Sequence, residues 1–204
     1  MEINLRKNHY SENYKVLSAL IIPRPIAWVS SQDKNGIANL APFSYFTGVS
    51  SNPPAVATSI GYARSASGKK DTLRNIQENK EFVINLVTEA DAQQMADSAY
   101  SFAPDEDEFE ILNIEKCHSS KVKTPGVATA PARLECRLMQ SIHIGKLEPG
   151  AATLLIGEVI HIFIDEKILT DGMPHSKKIR LLARLSGNNY TLIRDHLSFR
   201  TGDK

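Results

Sequence analysis

A hairpin interrupted by proline constrains this chain more than any other stretch. Residues 23–46 read PRPIAWVSSQDKNGIANLAPFSYF. Residues 26–31 are apolar and β-compatible, and Asp33-Lys34-Asn35-Gly36 carries the Asn-Gly pair that tolerates the positive φ of a hairpin return. Residues 37–45 predict the returning strand, but Pro42 has no N–H to give to a sheet ladder. The proline frees neighbouring backbone groups from pairing, and Ser44 adds a small hydroxyl just beyond it. Such a strand can wall a flat cofactor with polar edges; it is equally the form of an edge strand that needs a break.

Residues 1–15 are polar and charged and read as an arm, with a short helix expected over residues 13–20. After the hairpin, Asn52-Pro53-Pro54 forces turned or extended chain, and residues 55–60 (AVATSI) read as a buried strand. Residues 71–79 (DTLRNIQEN) have a helical pattern, with Leu73 and Ile76 on one face and Asp71 or Thr72 able to cap the first turn. Residues 81–87 (EFVINLV) predict a strand, and Thr88 with Asp91 predicts a capped helix running to Tyr100. The acidic run at residues 105–108 reads as a solvated loop. Charged and apolar residues alternate in residues 132–144, the period of a half-buried strand. Residues 152–165 predict the longest apolar strand, with Gly157 marking a bulge or bend, and residues 181–193 a closing strand, turn and strand.

Six or seven strands, mostly antiparallel by loop length, with two short helices, favour a small closed barrel over a parallel α/β sheet. No G-x-G-x-x-G or P-loop pattern occurs, so a nucleotide would be held in neither of those ways. The 42% hydrophobic content is enough for one core within 204 residues. A net charge of +1 gives no general attraction to nucleic acid or to an anionic membrane, and no run reaches the ~18–20 apolar residues that span a bilayer. Cys117 and Cys136 have no metal-type spacing and read as reduced structural cysteines of a cytoplasmic protein. No histidine set has metal spacing, and His161, on an apolar strand, reads as a core histidine.

A second stretch carries chemistry. Arg64-Ser-Ala-Ser-Gly-Lys-Lys-Asp-Thr72 places cations and hydroxyls just before a helix start, whose free amides and dipole suit a phosphate. A basic loop with an ordinary cap has the same composition. Taken together, one segment offers a planar wall and the other an anion site, and flavin mononucleotide (FMN) needs both.

PRPIAWVSS, Asn39-Leu-Ala-Pro-Phe-Ser44, Asn52-Pro-Pro54, Lys70-Asp-Thr-Leu-Arg-Asn-Ile76 and Glu81-Phe-Val-Ile-Asn85 strongly resemble the flavin reductase-like, FMN-binding split-barrel family. The similarity continues through Asp107-Glu-Phe109, Leu134-Glu-Cys136, Gly157-Glu-Val159 and Arg184-Leu-Ser-Gly-Asn-Asn-Tyr190. The resemblance implies a mainly β split barrel of Greek-key type with a few short helices. It divides the chain into an N-terminal arm (1–20), the FMN-binding domain (21–195) and a tail (196–204).

The resemblance also implies a homodimer, with FMN at or near the subunit interface. Carried onto this chain, it sets Trp28, Val29, Ser30, Ser31, Asn39, Leu40, Ala41, Pro42, Phe43 and Ser44 along the isoalloxazine and ribityl chain. Ser59, Lys70, Asp71 and Thr72 fall near the ribityl and phosphate, and Arg184 and Tyr190 border the nicotinamide side. No residue is assigned a catalytic acid or base, and no metal is implied. The implied activity is hydride transfer from NAD(P)H to FMN and onward to free flavin, a monooxygenase partner or another acceptor. The alternative is an FMN-holding electron carrier without reductase turnover.

Overall fold

The computed structural model describes residues 1–63 and 68–199. A 3-10 turn at Leu5–Lys7 leads into α1 (Tyr10–Leu20), whose start the His9 ring caps by accepting the Ser11 amide. The arm is therefore more ordered than its polar composition suggests. β1 (Arg24–Pro25) runs into the hairpin of β2 (Ala27–Gln32) and β3 (Ala38–Phe43). Asp33 holds the turn: its Oδ1 accepts the amides of Asn35 and Ile37, both at 2.8 Å. β4 (Phe46–Ser51) and β5 (Pro54–Gly61) make a second hairpin, so the stretch before the double proline supplies a strand the sequence reading did not expect.

α2 (Asp71–Asn79) and β6 (Glu81–Asn85) follow. α3 (Ala92–Asp97) starts later than Thr88 because the Asp91 carboxylate caps no helix amide. Instead it accepts the hydroxyls of Thr88 at 2.9 Å and Thr129 at 2.8 Å. The acidic run is not all solvated either: it ends in α4 (Glu108–Ile111), which Asp107 caps and whose Glu108 is buried. β7 (Lys116–Cys117) and β8 (Gly126–Val127) precede the long pair β9 (Ala132–Ile144) and β10 (Ala152–Ile164). β11 (Leu169–Thr170), β12 (Met173–Pro174), α5 (Ser176–Ile179), β13 (Leu182–Arg184) and β14 (Tyr190–Leu192) complete the described chain.

One seven-stranded antiparallel sheet runs in the order β3-β2-β6-β9-β10-β5-β4. Its edges are β3 and β4, and only Ser44 and Tyr45 separate them along the chain. Three Cα steps span at most ~11 Å, so the sheet must curl until its two edges meet at that corner. They meet without pairing, and the barrel is split rather than closed.

Side chains on alternate sides of the strands feed two cores. Inside the barrel, Val29, Phe43, Ile60, Phe82 and Leu155 pack together, and α2 plugs it with Leu73 and Ile76. On the outer face, Trp28 and Leu40 pack against Met95 of α3 and Phe109 of α4. At Gly157 the β9–β10 register shifts, and a Cβ there would stand 2.4 Å from Phe82 Cζ. The expected bulge thus leaves room for the buried Phe82 ring of the barrel core.

Candidate functional site

The split fixes the site. The expected interruption is not seen: β3 stays in register with β2 through Pro42 and Phe43, because β3 is an edge strand and can carry a residue without an N–H, and the chain then turns through Ser44 and Tyr45 into β4. The Tyr45 carbonyl accepts the Ser59 amide at 2.9 Å, which draws the corner beside the end of β5. Behind the corner stands Arg24, only 3% exposed. Its Nε donates to Ser44 Oγ at 3.2 Å, and its remaining bonds go to the carbonyls of Ser18, Ile21 and Leu185.

An open cavity of about 670 Å³ lies in front of the corner, within the size range of small-molecule sites. Pro42, Phe43, Ser44 and Tyr45 form one wall, and Ser59, Gly61, Tyr62 and Lys70 form the floor beside them. Tyr10, Asn13, Tyr14 and Leu17 of α1 face them, and Arg184 and Tyr190 close one side. Gly150 allows α1 this close, since a Cβ there would lie 2.7 Å from Tyr10 Cβ. Five of the chain's six tyrosines line the cavity, and among the described residues no carboxylate does.

Lys70 is the N-cap of α2 and provides no side-chain cap; Asp71 pairs with Arg74 at 2.5 Å. Neither Asp71 nor Thr72 caps the helix as expected. Thr72 is buried and its Oγ1 accepts from Asn39 Nδ2 at 3.0 Å, which ties the helix start to β3. The N-cap of α2 thus gives its first amides no side-chain acceptor. Lys70 keeps contact with solvent, yet the protein around its ammonium holds its pKa below the usual lysine value. Its Nζ lies 5.3 Å from the centroid of the Phe43 ring, and no carboxylate among the described residues pairs with it.

The expected site residues separate into three groups. Pro42, Phe43, Ser44, Ser59, Lys70, Arg184 and Tyr190 line the cavity. Asn39, Leu40, Ala41, Asp71 and Thr72 do not line it and lie next in sequence to residues that do, on β3 and the first turn of α2. The Leu40 amide is already committed, donating to Glu108 Oε2 at 3.0 Å. Burial pushes Glu108 up to about 7, a shift reinforced by Asp107 and Asp71 nearby.

Trp28, Val29, Ser30 and Ser31 form the third group, wholly buried on β2, and line no part of the cavity. The Trp28 indole donates to Ser98 Oγ at 2.9 Å and Ser30 Oγ to the Pro125 carbonyl at 2.6 Å. Arg64 and Ser65 of the loop before α2 lie outside the described residues. His161 is half-buried and lies 3.1 Å from Glu135 Oε1, and Glu135 also accepts the amides of Ser120 and Lys121. Among the described residues no His, Cys, Asp or Glu group could hold a metal ion.

Sequence reading missed Arg24, Asn13 and the lining tyrosines other than Tyr190. Arg24 stood in the opening PRP motif, so a cation among apolar strand residues was its signal. Asn13 had none, because only the packing of α1 across the corner brings it there. Its Nδ2 donates to the Leu5 carbonyl at 2.9 Å, while Oδ1 is sealed from solvent without a donor. A cation at a helix start, with no carboxylate partner among the described residues, and a tyrosine-rich lining fit a planar, anionic ligand.

Comparison with known proteins agrees with this geometry. The flavin reductase like domain matches residues 19–180. The chain belongs to the flavin reductase-like family. A Halalkalibacterium halodurans protein, described as uncharacterized, is 36% identical over 192 residues, covering 93% of this chain and 91% of its own. Nitrilotriacetate monooxygenase component B from Bacillus cereus superposes with a TM-score of 0.91 at 35% identity, covering 98% of both chains. The 2-nitrobenzoate 2-nitroreductase NbaA of Pseudomonas fluorescens gives 0.88 at 25% identity, covering 99% of this chain and 96% of its own.

The fold is the split barrel of flavin reductase-like, FMN-binding proteins. The matched flavin reductase-like segment omits most of α1 and all of β13 and β14. Tyr10, Asn13, Tyr14, Arg184 and Tyr190 therefore add a wall to the cavity from outside that segment. No helix among the described residues is long and apolar enough to cross a membrane.

Proposed function

We propose that the chain is an FMN-dependent oxidoreductase of the flavin reductase type. The observation that carries this is convergence. β3 and the start of α2 reach one cavity, the first with Pro42 and Phe43 and the second with Lys70, and they are joined by the Asn39–Thr72 hydrogen bond and by Lys70 over the Phe43 ring. When bound, FMN supplies the chemistry of accepting a hydride and passing electrons on.

The chain's own part is to bind and orient. Lys70, Ser59 and the amides opening α2 hold the phosphate. Pro42, Phe43 and Ser44 set the ring along the corner, backed by β2 with Trp28, Val29, Ser30 and Ser31. Asn39, Leu40, Ala41, Asp71 and Thr72 brace these positions from behind. Arg184, Tyr190 and the α1 wall receive NAD(P)H on the open side, with its nicotinamide held for transfer. No side chain of the lining need move a proton.

The unit that binds FMN runs over 21–195, with 196–204 as a tail. We further propose a cytoplasmic homodimer, because the outer half of the β9–β10 hairpin exposes Ile142, Ile144 and Leu147. Electrons pass on to free flavin, a monooxygenase component or another acceptor.

The test is oxidation of NADH and of NADPH by FMN-loaded protein with added free FMN, followed at 340 nm. Turnover with either nucleotide is the expected result. An FMN-loaded protein that oxidises neither is an electron carrier and contradicts the reductase assignment.

A further inference from the structure

Arg24 presents a problem that the cofactor reading does not resolve. A buried guanidinium is costly to desolvate and is normally paired with a carboxylate. Arg24 is 3% exposed, and none of its hydrogen-bond partners carries a charge. Two of those partners, the carbonyls of Ser18 and Ile21, lie at the end of α1, where the helix dipole favours a cation. That contact explains the Nη1 side of the group. It does not explain why Nε is turned to a cavity-facing serine.

The direction of that bond has a consequence. Arg24 can only donate, so Ser44 Oγ is the acceptor at 3.2 Å. The hydroxyl proton of Ser44 is therefore free to point away from Arg24, and Ser44 lines the cavity. A donor whose oxygen is polarised by a buried cation is stronger than an isolated hydroxyl. Arg24 also stands 5.8 Å from the centroid of Tyr45, so its charge backs both residues of the corner.

We propose that Arg24 and Ser44 act as a relay that stabilises negative charge on the flavin ring in its reduced form. This rests on FMN occupying the cavity. Two electrons and one proton added to oxidised FMN leave one net negative charge on the ring. The phosphate keeps its charge in both states and is served by Lys70, which faces the cavity directly. A sequestered charge acting through a fixed hydroxyl suits a group that becomes anionic only on reduction. Arg24 is a positioning residue, because Ser44 alone reaches the ligand.

The test measures the midpoint potential of bound FMN in the wild type, Ser44→Ala, Ser44→Thr and Arg24→Gln. Xanthine, oxidised to urate by xanthine oxidase, supplies the electrons, with a dye of known potential as reference. The dissociation constant of oxidised FMN is measured in parallel. Ser44→Ala is expected to lose some affinity for oxidised FMN, since Ser44 lines the ring position. It should lose about tenfold in preference for the reduced form, a fall of about 30 mV for a two-electron couple. Ser44→Thr keeps the hydroxyl and should keep the wild-type potential. Arg24→Gln should lower the potential in the wild type and add nothing in Ser44→Ala.

An unchanged potential in FMN-loaded Ser44→Ala overturns the relay and leaves the cofactor site standing, even if Arg24→Gln fails to fold. A wild-type protein that binds no FMN overturns the cofactor reading and the relay together.

Discussion

Asn39 on β3 and Thr72 in the first turn of α2 share a buried hydrogen bond of 3.0 Å, Nδ2 donating to Oγ1. The bond joins two segments separated by a whole hairpin in sequence. It places the start of α2, which has no side-chain cap, beside the edge strand β3. The cavity in front of them follows from that junction.

The junction sets the first expectation. Replacing Lys70 and Thr72 together with Ala removes a cation at the anion position and the anchor that aligns the helix start. Loss of one charge-assisted bond is worth roughly 1.5–3 kcal/mol, so FMN affinity should fall at least about tenfold. Fluorescence titration with FMN measures it, and unchanged affinity would place the phosphate elsewhere.

Glu108 gives a pH dependence with a definite sign. Its carboxyl is raised from 4.5 to about 7 by burial, so between those values the folded protein holds the extra proton. Stability from this group is present below about pH 4.5 and is lost as pH rises through about 7. Glu108→Gln keeps an acceptor for the Leu40 amide and carries no charge. Its urea midpoint should match wild type at pH 5 and exceed it at pH 8. Equal midpoints at both pH values would mean that Glu108 ionises normally.

Gly157 is required by contact rather than by backbone conformation. Alanine there would press its Cβ against the buried Phe82 ring, 2.4 Å from Cζ and 2.9 Å from Cε1. Overpacking of this kind costs about 1–3 kcal/mol, visible as a lower urea midpoint. A Gly157→Ala protein as stable as wild type would show that the β9–β10 bulge yields freely.

Much of this arrangement was legible in the sequence, for identifiable reasons. The hairpin, α2 and the long pair β9–β10 follow from turn chemistry and periodicity, which are local. The start of α3 was misplaced because Asp91 looks like a capping residue but serves the hydroxyls of Thr88 and Thr129, and Thr129 is remote in sequence. Burial of Glu108 was hidden because an acidic run gives no sign that one member will turn inward to the Leu40 amide. At the site, the corner and the helix lead-in were visible as segments. The α1 wall was not, since nothing in residues 10–17 reveals that the helix will lie across the corner.

That wall can be tested separately. Tyr14 of α1 is exposed and lines the cavity, so a nucleotide on the open side packs against its ring. Tyr14→Ala should raise KM for NAD(P)H roughly fivefold, the equivalent of ~1 kcal/mol, with FMN affinity unchanged. A KM equal to wild type, or a loss of FMN affinity instead, would move the wall out of the nucleotide site.

Titration of the purified protein with FMN, followed by visible absorption and flavin fluorescence, tests the central claim most directly. The account predicts saturable uptake of one FMN per chain, with a perturbed flavin spectrum and altered emission. A protein that leaves the spectrum and emission of added FMN unchanged at every ratio would contradict it.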